Sequence, residues 1–320
     1  MVRELKVRYD GGILVEVRGR RVLFDPVSYP SRKPDLIAIS HAHWDHVNLR
    51  VLRKLKVPIV MSYATAKLIS LKGSLKGLDL KLLSGERGEI EVSGIPLAYE
   101  GAGHIVGSLQ YAILTEPIIA YTGDFNTDER VILKPAKSIE SDVLIIEATY
   151  GDPYYTFPSR WVSYNRLLEK VGEVLESEGS VTIAGRSPGV AQEVIALLLR
   201  SKFRGELYVH PSALKASRVH FEEEGEDLNL KVALKVPEGG ILIVKLSRWT
   251  EGLCRKALIC TGWALSNRNG IPLSSHADFP SLVNYVDSSG AEEVYTVFGY
   301  SYRLAKELRE MGYNSEPLVR

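Results

Sequence analysis

Up to Glu147 the chain alternates short apolar or β-branched runs with turn-forming residues, at a spacing that suits strands. The first runs are Leu5 to Arg8, Ile13 to Val17, Arg21 to Phe24 and Leu36 to Ser40, punctuated by Asp10-Gly11-Gly12 and Gly19 as hairpins would be. Leu49 to Lys56 reads as a helix. Glu89 to Val92, Leu97 to Glu100, Gln110 to Leu114, Ile118 to Tyr121 and Val143 to Glu147 continue the strand series. From Ser159 the period changes: Val162, Leu167, Leu168, Val171, Val174 and Leu175 fall near helical spacing, and Gly179 is a natural stop. Strand-like Val181 to Ala184, helix-like Ala191 to Ser201 and strand-like Glu206 to Val209 then give a β-α-β rhythm, which predicts a parallel sheet. Ala257 to Thr261, helix-like Pro280 to Ser288, strand-like Glu293 to Phe298 and helix-like Tyr302 to Met311 complete the pattern.

A chain of 320 residues with 45% hydrophobic content exceeds a typical single domain and predicts two lobes. The net charge of +1 excludes the gross basic excess of many nucleic-acid binders, although it leaves room for a local basic groove. Cys254 and Cys260 are the only cysteines, too few for a disulfide framework, and both read as reduced thiols. No apolar run of about 18 residues is present, so no membrane span is expected. With no signal-like start, a cytoplasmic protein is expected.

Candidate chemistry concentrates in His41-Ala42-His43-Trp44-Asp45-His46, which follows the apolar run Leu36 to Ile39. Imidazole nitrogen and carboxylate oxygen are the ligands preferred by zinc and its neighbours. His41 and His43, two apart, project to one side of an extended segment, and Asp45 and His46 follow as the chain turns. The set exceeds what one ion requires and allows two ions side by side. Asp25, His41, His104, Asp124 and Glu147 each follow an apolar strand-like run or its turn, so a layered sheet could bring all five to one edge.

The H-x-H-x-D-H motif resembles the metal motif of the metallo-β-lactamase superfamily, and further motifs follow in order. Asp25 resembles the early aspartate that orients a metal-binding histidine, His104 the histidine of the third motif, and Asp124 in Tyr121-Thr122-Gly123-Asp124 the carboxylate that bridges two metals. Glu147 in Leu144-Ile145-Ile146-Glu147 and His276 in Ser274-Ser275-His276-Ala277-Asp278 resemble the motifs that open and close the inserted domain of the β-CASP nucleases. The words Thr149-Tyr150-Gly151-Asp152-Pro153 and Thr261-Gly262-Trp263 are similar to Artemis-like cross-link repair nucleases and prokaryotic ligase-associated DNA exonucleases. The resemblance implies an α/β fold: a metallo-β-lactamase αββα sandwich over residues 1–155 and 257–320, interrupted by an α/β β-CASP domain over 156–256. It departs at Phe298, where the family often has a metal-binding histidine.

The resemblance further implies a zinc-dependent hydrolase of nucleic-acid phosphodiesters, foremost an exonuclease on single-stranded or end-containing DNA, with RNA processing as the close second. A small-molecule hydrolase of the superfamily and a silent nucleic-acid-binding scaffold are rival readings. A homodimer or a repair partner is left open. Zinc on His41, His43 and His104 would ionise a bound water near neutral pH. A second, weaker ion, with Mn2+ or Mg2+ as candidates, would rely on Asp45, His46 and Asp124. Asp45, Glu147 and His276 are the catalytic candidates, His276 as proton donor steadied by Asp278 or Glu147; Ser274 and Ser275 are candidates for binding phosphate. Gly185-Arg186-Ser187-Pro188-Gly189 suits either a phosphate cradle or a plain strand-to-helix turn. Tyr154, Tyr155, Phe157, Trp161 and Tyr164, interleaved with Arg160 and Arg166, suit base stacking and core packing equally. His210 and His220 read as structural.

Overall fold

Residues 5–201, 205–248, 252, 257–265 and 270–319 are described by a computed structural model. Cys254 lies outside them. Leu5–Tyr9 (β1), Ile13–Val17 (β2) and Arg20–Phe24 (β3) form two successive antiparallel hairpins. The second closes on Arg18 and Gly19, both at positive φ (50° and 74°), as a two-residue turn matching strand twist requires. Leu36–Ala38 (β4), Ile59–Ser62 (β5) and Leu80–Leu83 (β6) add in parallel to complete a six-stranded sheet. Between them run Leu49–Leu55 (α1), capped by the Asn48 side chain, and Tyr63–Ser70 (α2), capped by Ser62. β5, α2 and β6 lie outside the elements that periodicity predicts.

A second sheet begins with the antiparallel strands Arg87–Val92 (β7), Ile95–Gly101 (β8), Leu109–Ile113 (β9) and Ile119–Tyr121 (β10), followed by Val143–Glu147 (β11) in parallel. Phe24, Tyr111 and Tyr121 meet in one buried core with residues of both sheets, among them Val15, Val60, Leu97 and Ile145. The alternation along β2 and β9 thus fills the space between two layers.

By its internal contacts the chain divides into two units. One comprises Met1–Thr127, Pro135–Tyr154 and His276–Arg320, the other Asp128–Lys134 and Tyr155–Ser275. In the second unit Arg160–Glu178 (α3), Val181–Gly185 (β12), Val190–Arg200 (α4), Glu206–Val209 (β13), Pro211–Glu223 (α5), Lys231–Val232 (β14), Gly240–Lys245 (β15), Leu258–Cys260 (β16) and Gly270–Ile271 (β17) alternate helix and strand. All its strand pairs are parallel, in the order β14-β13-β15-β12-β16-β17. Where the pattern predicts a return to the first domain at residue 257, β16 and β17 pair into this sheet instead. Leu258, Cys260, Ile271 and Leu273 join the same buried core as Leu167, Val194 and Ile243, so their burial is satisfied here.

The second unit also buries an ionic cluster. Glu193, on the first turn of α4, meets Arg130 (Nη2 to Oε2, 3.0 Å) and Arg160 (Nε to Oε1, 3.7 Å), and accepts the Tyr164 hydroxyl. Arg160 Nη2 also reaches Asp128 (3.0 Å) and donates to the Ser274 carbonyl (2.7 Å). Burial opposes the charge on Glu193, but Arg130 and Arg160 hold its carboxyl below the usual range. Tyr164 and Arg160 are therefore core residues, whereas Trp161 is exposed. Gly185 to Gly189 form a strand-to-helix turn whose Gly189 amide is capped by the Gln192 side chain. His210 caps α5 and His220 is buried beside Phe221.

Back in the first unit, Phe279–Ser289 (α6), Glu293–Val297 (β18), Ser301–Glu310 (α7) and Ser315–Pro317 (β19) finish the second sheet and cover its outer face. Leu282, Tyr285 and Val286 of α6 and Leu304 and Leu308 of α7 bury Leu144, Ile146 and Val294. The strands therefore form a two-sheet layer with helices outside it. Among the described residues no helix is long and apolar enough to cross a membrane.

Candidate metal centre

Five strand ends of the first unit deliver the site. Asp25 follows β3, His41 lies just past β4, His104 follows β8, Asp124 follows β10, and Glu147 ends β11. All are buried. Gly123, at φ 55°, lets the Asp124 turn lie against the first sheet, since a Cβ there would stand 2.5 Å from Ser40 Cβ.

Three imidazole nitrogens converge. His41 Nε2 and His104 Nε2 lie 3.0 Å and 3.1 Å from His43 Nδ1, and Asp124 Oδ2 lies 3.4 Å from His41 Nε2 and 3.6 Å from His104 Nε2. Four ligands about 2.0–2.2 Å from one tetrahedral ion stand about 3.3–3.5 Å from each other. The four atoms thus have about the spacing of a coordination sphere and could hold a metal ion. Asp124 turns its other oxygen, Oδ1, to His46 Nε2 at 3.3 Å, so one carboxylate faces two groups of imidazoles.

Asp25 sets the orientation of two rings. Its carboxylate accepts from the Ser40 amide (2.7 Å), the Ser40 hydroxyl, the Tyr121 hydroxyl (2.8 Å) and His46 Nδ1 (2.9 Å). With its own proton given to Asp25, Ser40 Oγ can accept from His41 Nδ1 at 2.9 Å, which leaves the Nε2 lone pair of His41 facing the cluster. Ser40 and Tyr121 escape a search for ligands because neither is one.

The electrostatics point the same way. His41 is held below its usual pKa by burial and by the charge of His46. Burial also opposes the charge on His46, yet Asp124 and Asp25 on either side raise it well above 6.5. Asp124, against the cost of burial, is pulled well below the carboxylate range by His46, His276 and His41. Asp25, Asp124 and Glu147 bring three carboxylates to five imidazoles.

His276 joins the same centre. Its Nδ1 donates to Glu147 (2.9 Å to Oε2, 3.1 Å to Oε1), and its Nε2 stands 3.9 Å from Asp124 Oδ2. Glu147 is itself fixed by the Phe125 amide at 2.8 Å. Asn126 donates to the His276 carbonyl (2.8 Å), and the Ala277 amide donates to Phe125 O (2.8 Å). Asn126, which no motif singles out, thus stitches the two segments together. Asp278 caps α6 by accepting from the Ser281 amide. Asp45 is exposed and stands outside the three groups of close-set ligand atoms. Ser274 and Ser275 are buried at the end of the second unit. Phe298, at φ 65°, sets its ring 4.9 Å from that of His46.

Residues 12–145 match the model of the beta-lactamase superfamily domain. The chain carries a metallo-β-lactamase-type domain. A solved protein of unknown function from Enterococcus faecalis shares the fold over 99% of this chain and 97% of its own, with TM-score 0.63 at 15% identity. A probable DNA ligase of Opitutus terrae is 27% identical over 86% of this chain, an RNase J-like protein of Methanocaldococcus jannaschii 31% over 64%, and RNase aCSPSF2 of Saccharolobus solfataricus 29% over 53%. The chain spans only 28%, 55% and 39% of those three relatives' lengths.

Proposed function

We propose that this chain is a zinc-dependent nuclease that hydrolyses nucleic-acid phosphodiesters, foremost as an exonuclease on DNA. The observation that carries this reading is the convergence of His41, His43, His104 and Asp124 at coordination spacing, with the His276–Glu147 pair beside them. Zinc, when bound, supplies Lewis acidity and an ionised water near neutral pH. The protein's own groups do the rest. Asp25 and Ser40 keep the imidazoles in the tautomer that presents lone pairs. Glu147, held by the Phe125 amide, takes the Nδ1 proton of His276 as a hydrogen bond, so proton delivery to the leaving oxygen runs through Nε2.

Asp124 and His46 would hold a second, weaker ion. Phe298 presents a hydrocarbon edge beside His46, where it cannot coordinate a metal. Phe298→His, at a positive φ that histidine tolerates, is expected to raise the metal retained after dialysis from about one to about two equivalents. An unchanged stoichiometry would count against this account of the second ion.

Similarity to a probable DNA ligase over 86% of the chain favours DNA, while the RNase relatives support RNA as the second reading. Oligonucleotides of DNA and RNA labelled at the 5′ or the 3′ end, given to the zinc-loaded protein and to His276→Ala, test both. Mononucleotide release from DNA that falls about 100-fold or more in His276→Ala is expected. Cleavage of RNA alone would select the second reading, and no cleavage of either would overturn both.

A further inference from the structure

Between Asp45 and Asp79 the sequence holds seven lysines or arginines and no acidic residue, in a chain whose net charge is only +1. This stretch begins inside the metal motif and builds α1, α2 and the turn after α2. Two exposed aromatic rings accompany it, Trp44 just before Asp45 and Tyr63 within it. Trp44, between the ligand His43 and Asp45, is 54% exposed, and Tyr63 at the start of α2 is 51% exposed. A lysine stands over each: Lys72 Nζ is 4.5 Å from the Trp44 ring centre, and Lys67 Nζ is 4.9 Å from that of Tyr63.

These groups are tied to one another. Lys72 donates to the Ala42 carbonyl at 2.9 Å, which fastens the turn after α2 to the metal motif. Arg53 of α1 donates to Ser74 O at 2.6 Å, so the same turn meets α1. Large aromatics are ordinarily drawn into the core, and an indole left on the surface one residue from a metal ligand has given up that burial. A flat ring for a base and ammonium groups for phosphates are the two elements of single-strand binding.

We infer that Trp44, Lys72 and the basic face of α1 and α2 form a binding track for single-stranded nucleic acid, in which Trp44 stacks an unpaired base next to the bond to be cut and Lys72 contacts its phosphate. This rests on the nuclease reading for its substrate. The track is distinct from the ligands themselves, and it lies wholly within the first unit.

The test pairs kinetics with binding on the zinc-loaded protein. Trp44→Ala is expected to lower kcat/KM on a single strand about 5- to 150-fold, and Trp44→Phe to restore most of it. An abasic residue scanned along the oligonucleotide should, at one position, cost the wild type a similar factor and cost Trp44→Ala little, because the base and the indole are then removed together. For Lys72→Met, anisotropy of a fluorescent single strand should show a salt-dependence slope smaller by about 0.7. Metal content of each variant is measured alongside. Should Trp44→Ala lose its zinc, Trp44→Phe and Lys72→Met carry the test. Cleavage by the wild type with no coupling between Trp44 and any base, and with unaltered salt slope, overturns the track. Binding that depends on Trp44 and Lys72 without any cleavage upholds the track and overturns the nuclease reading instead.

Discussion

The metal centre of the first unit and the Glu193 cluster of the second both bury ionisable side chains, and they differ in where the balancing charge comes from. Around Glu193 the chain supplies it: Arg130 and Arg160 face Glu193 and Asp128, two cations against two anions, with the Tyr164 hydroxyl filling a further acceptor site. Around Asp124 the nearest groups are imidazoles, whose ring nitrogens approach one another to 3.0 and 3.1 Å. In the first arrangement the charges balance within the chain. The second is a set of ligand atoms able to take an ion from outside, and that difference in chemistry separates the two clusters where burial does not.

The largest expected effect is on the open centre. Asp124→Ala removes the carboxylate that faces both groups of imidazoles, and should abolish metal-dependent hydrolysis and lower the retained metal measured by atomic emission. Retention of full activity would mean that the centre is as self-sufficient as the Glu193 cluster. The reverse experiment is Glu193→Gln, which removes the buried carboxylate that Arg130 and Arg160 share. It should cost about 3–5 kcal/mol in denaturant-induced unfolding while leaving metal content unchanged. A loss below about 1 kcal/mol would show that the cluster is not balanced as described.

Acid should take the two centres apart in order. His41 is held below 6.5, so once the pH falls under that value the unfolded chain binds the proton more readily and stability declines. Glu193 is held below 4.5, so its contribution is complete above that pH and is lost only as the pH falls through the lower, folded value. Metal release that begins as the pH falls below 6.5 and precedes loss of the second unit's near-ultraviolet circular dichroism is expected. Simultaneous loss would contradict it. The smallest effect belongs to Asp25→Asn, which acts through the His46 and Ser40 hydrogen bonds and should weaken metal affinity about 10- to 100-fold, read by competition with a chromogenic chelator.

Much of the open centre is legible in the linear chain because its parts are chemically rare and sit at strand ends. Three histidines in His41 to His46, a histidine after β8 and an aspartate after β10 leave few competing explanations. The rest depends on contacts that one dimension does not carry. α2 draws its buried face from Ala64, Thr65, Ala66, Leu68 and Ile69, too short and too weakly apolar a stretch to stand out. β16 looks like any short apolar run, and only its pairing with β12 assigns it to the second unit. Trp44 and Lys72 are remote in sequence, so their meeting has no one-dimensional trace. Asp45, in the midst of the motif, reads as a ligand by spacing alone, and the turn it occupies leaves it exposed.

Asp25 occupies a left-handed backbone position, φ 48°, while its side chain serves four donors at once. Glycine would suit the handedness and lose the acceptor; asparagine would keep the shape and lose the charge; glutamate would keep the charge but adopts that backbone less readily and is one methylene too long. Position 25 therefore admits very little drift, because any replacement gives up the handedness, the charge or the reach that its four donors require.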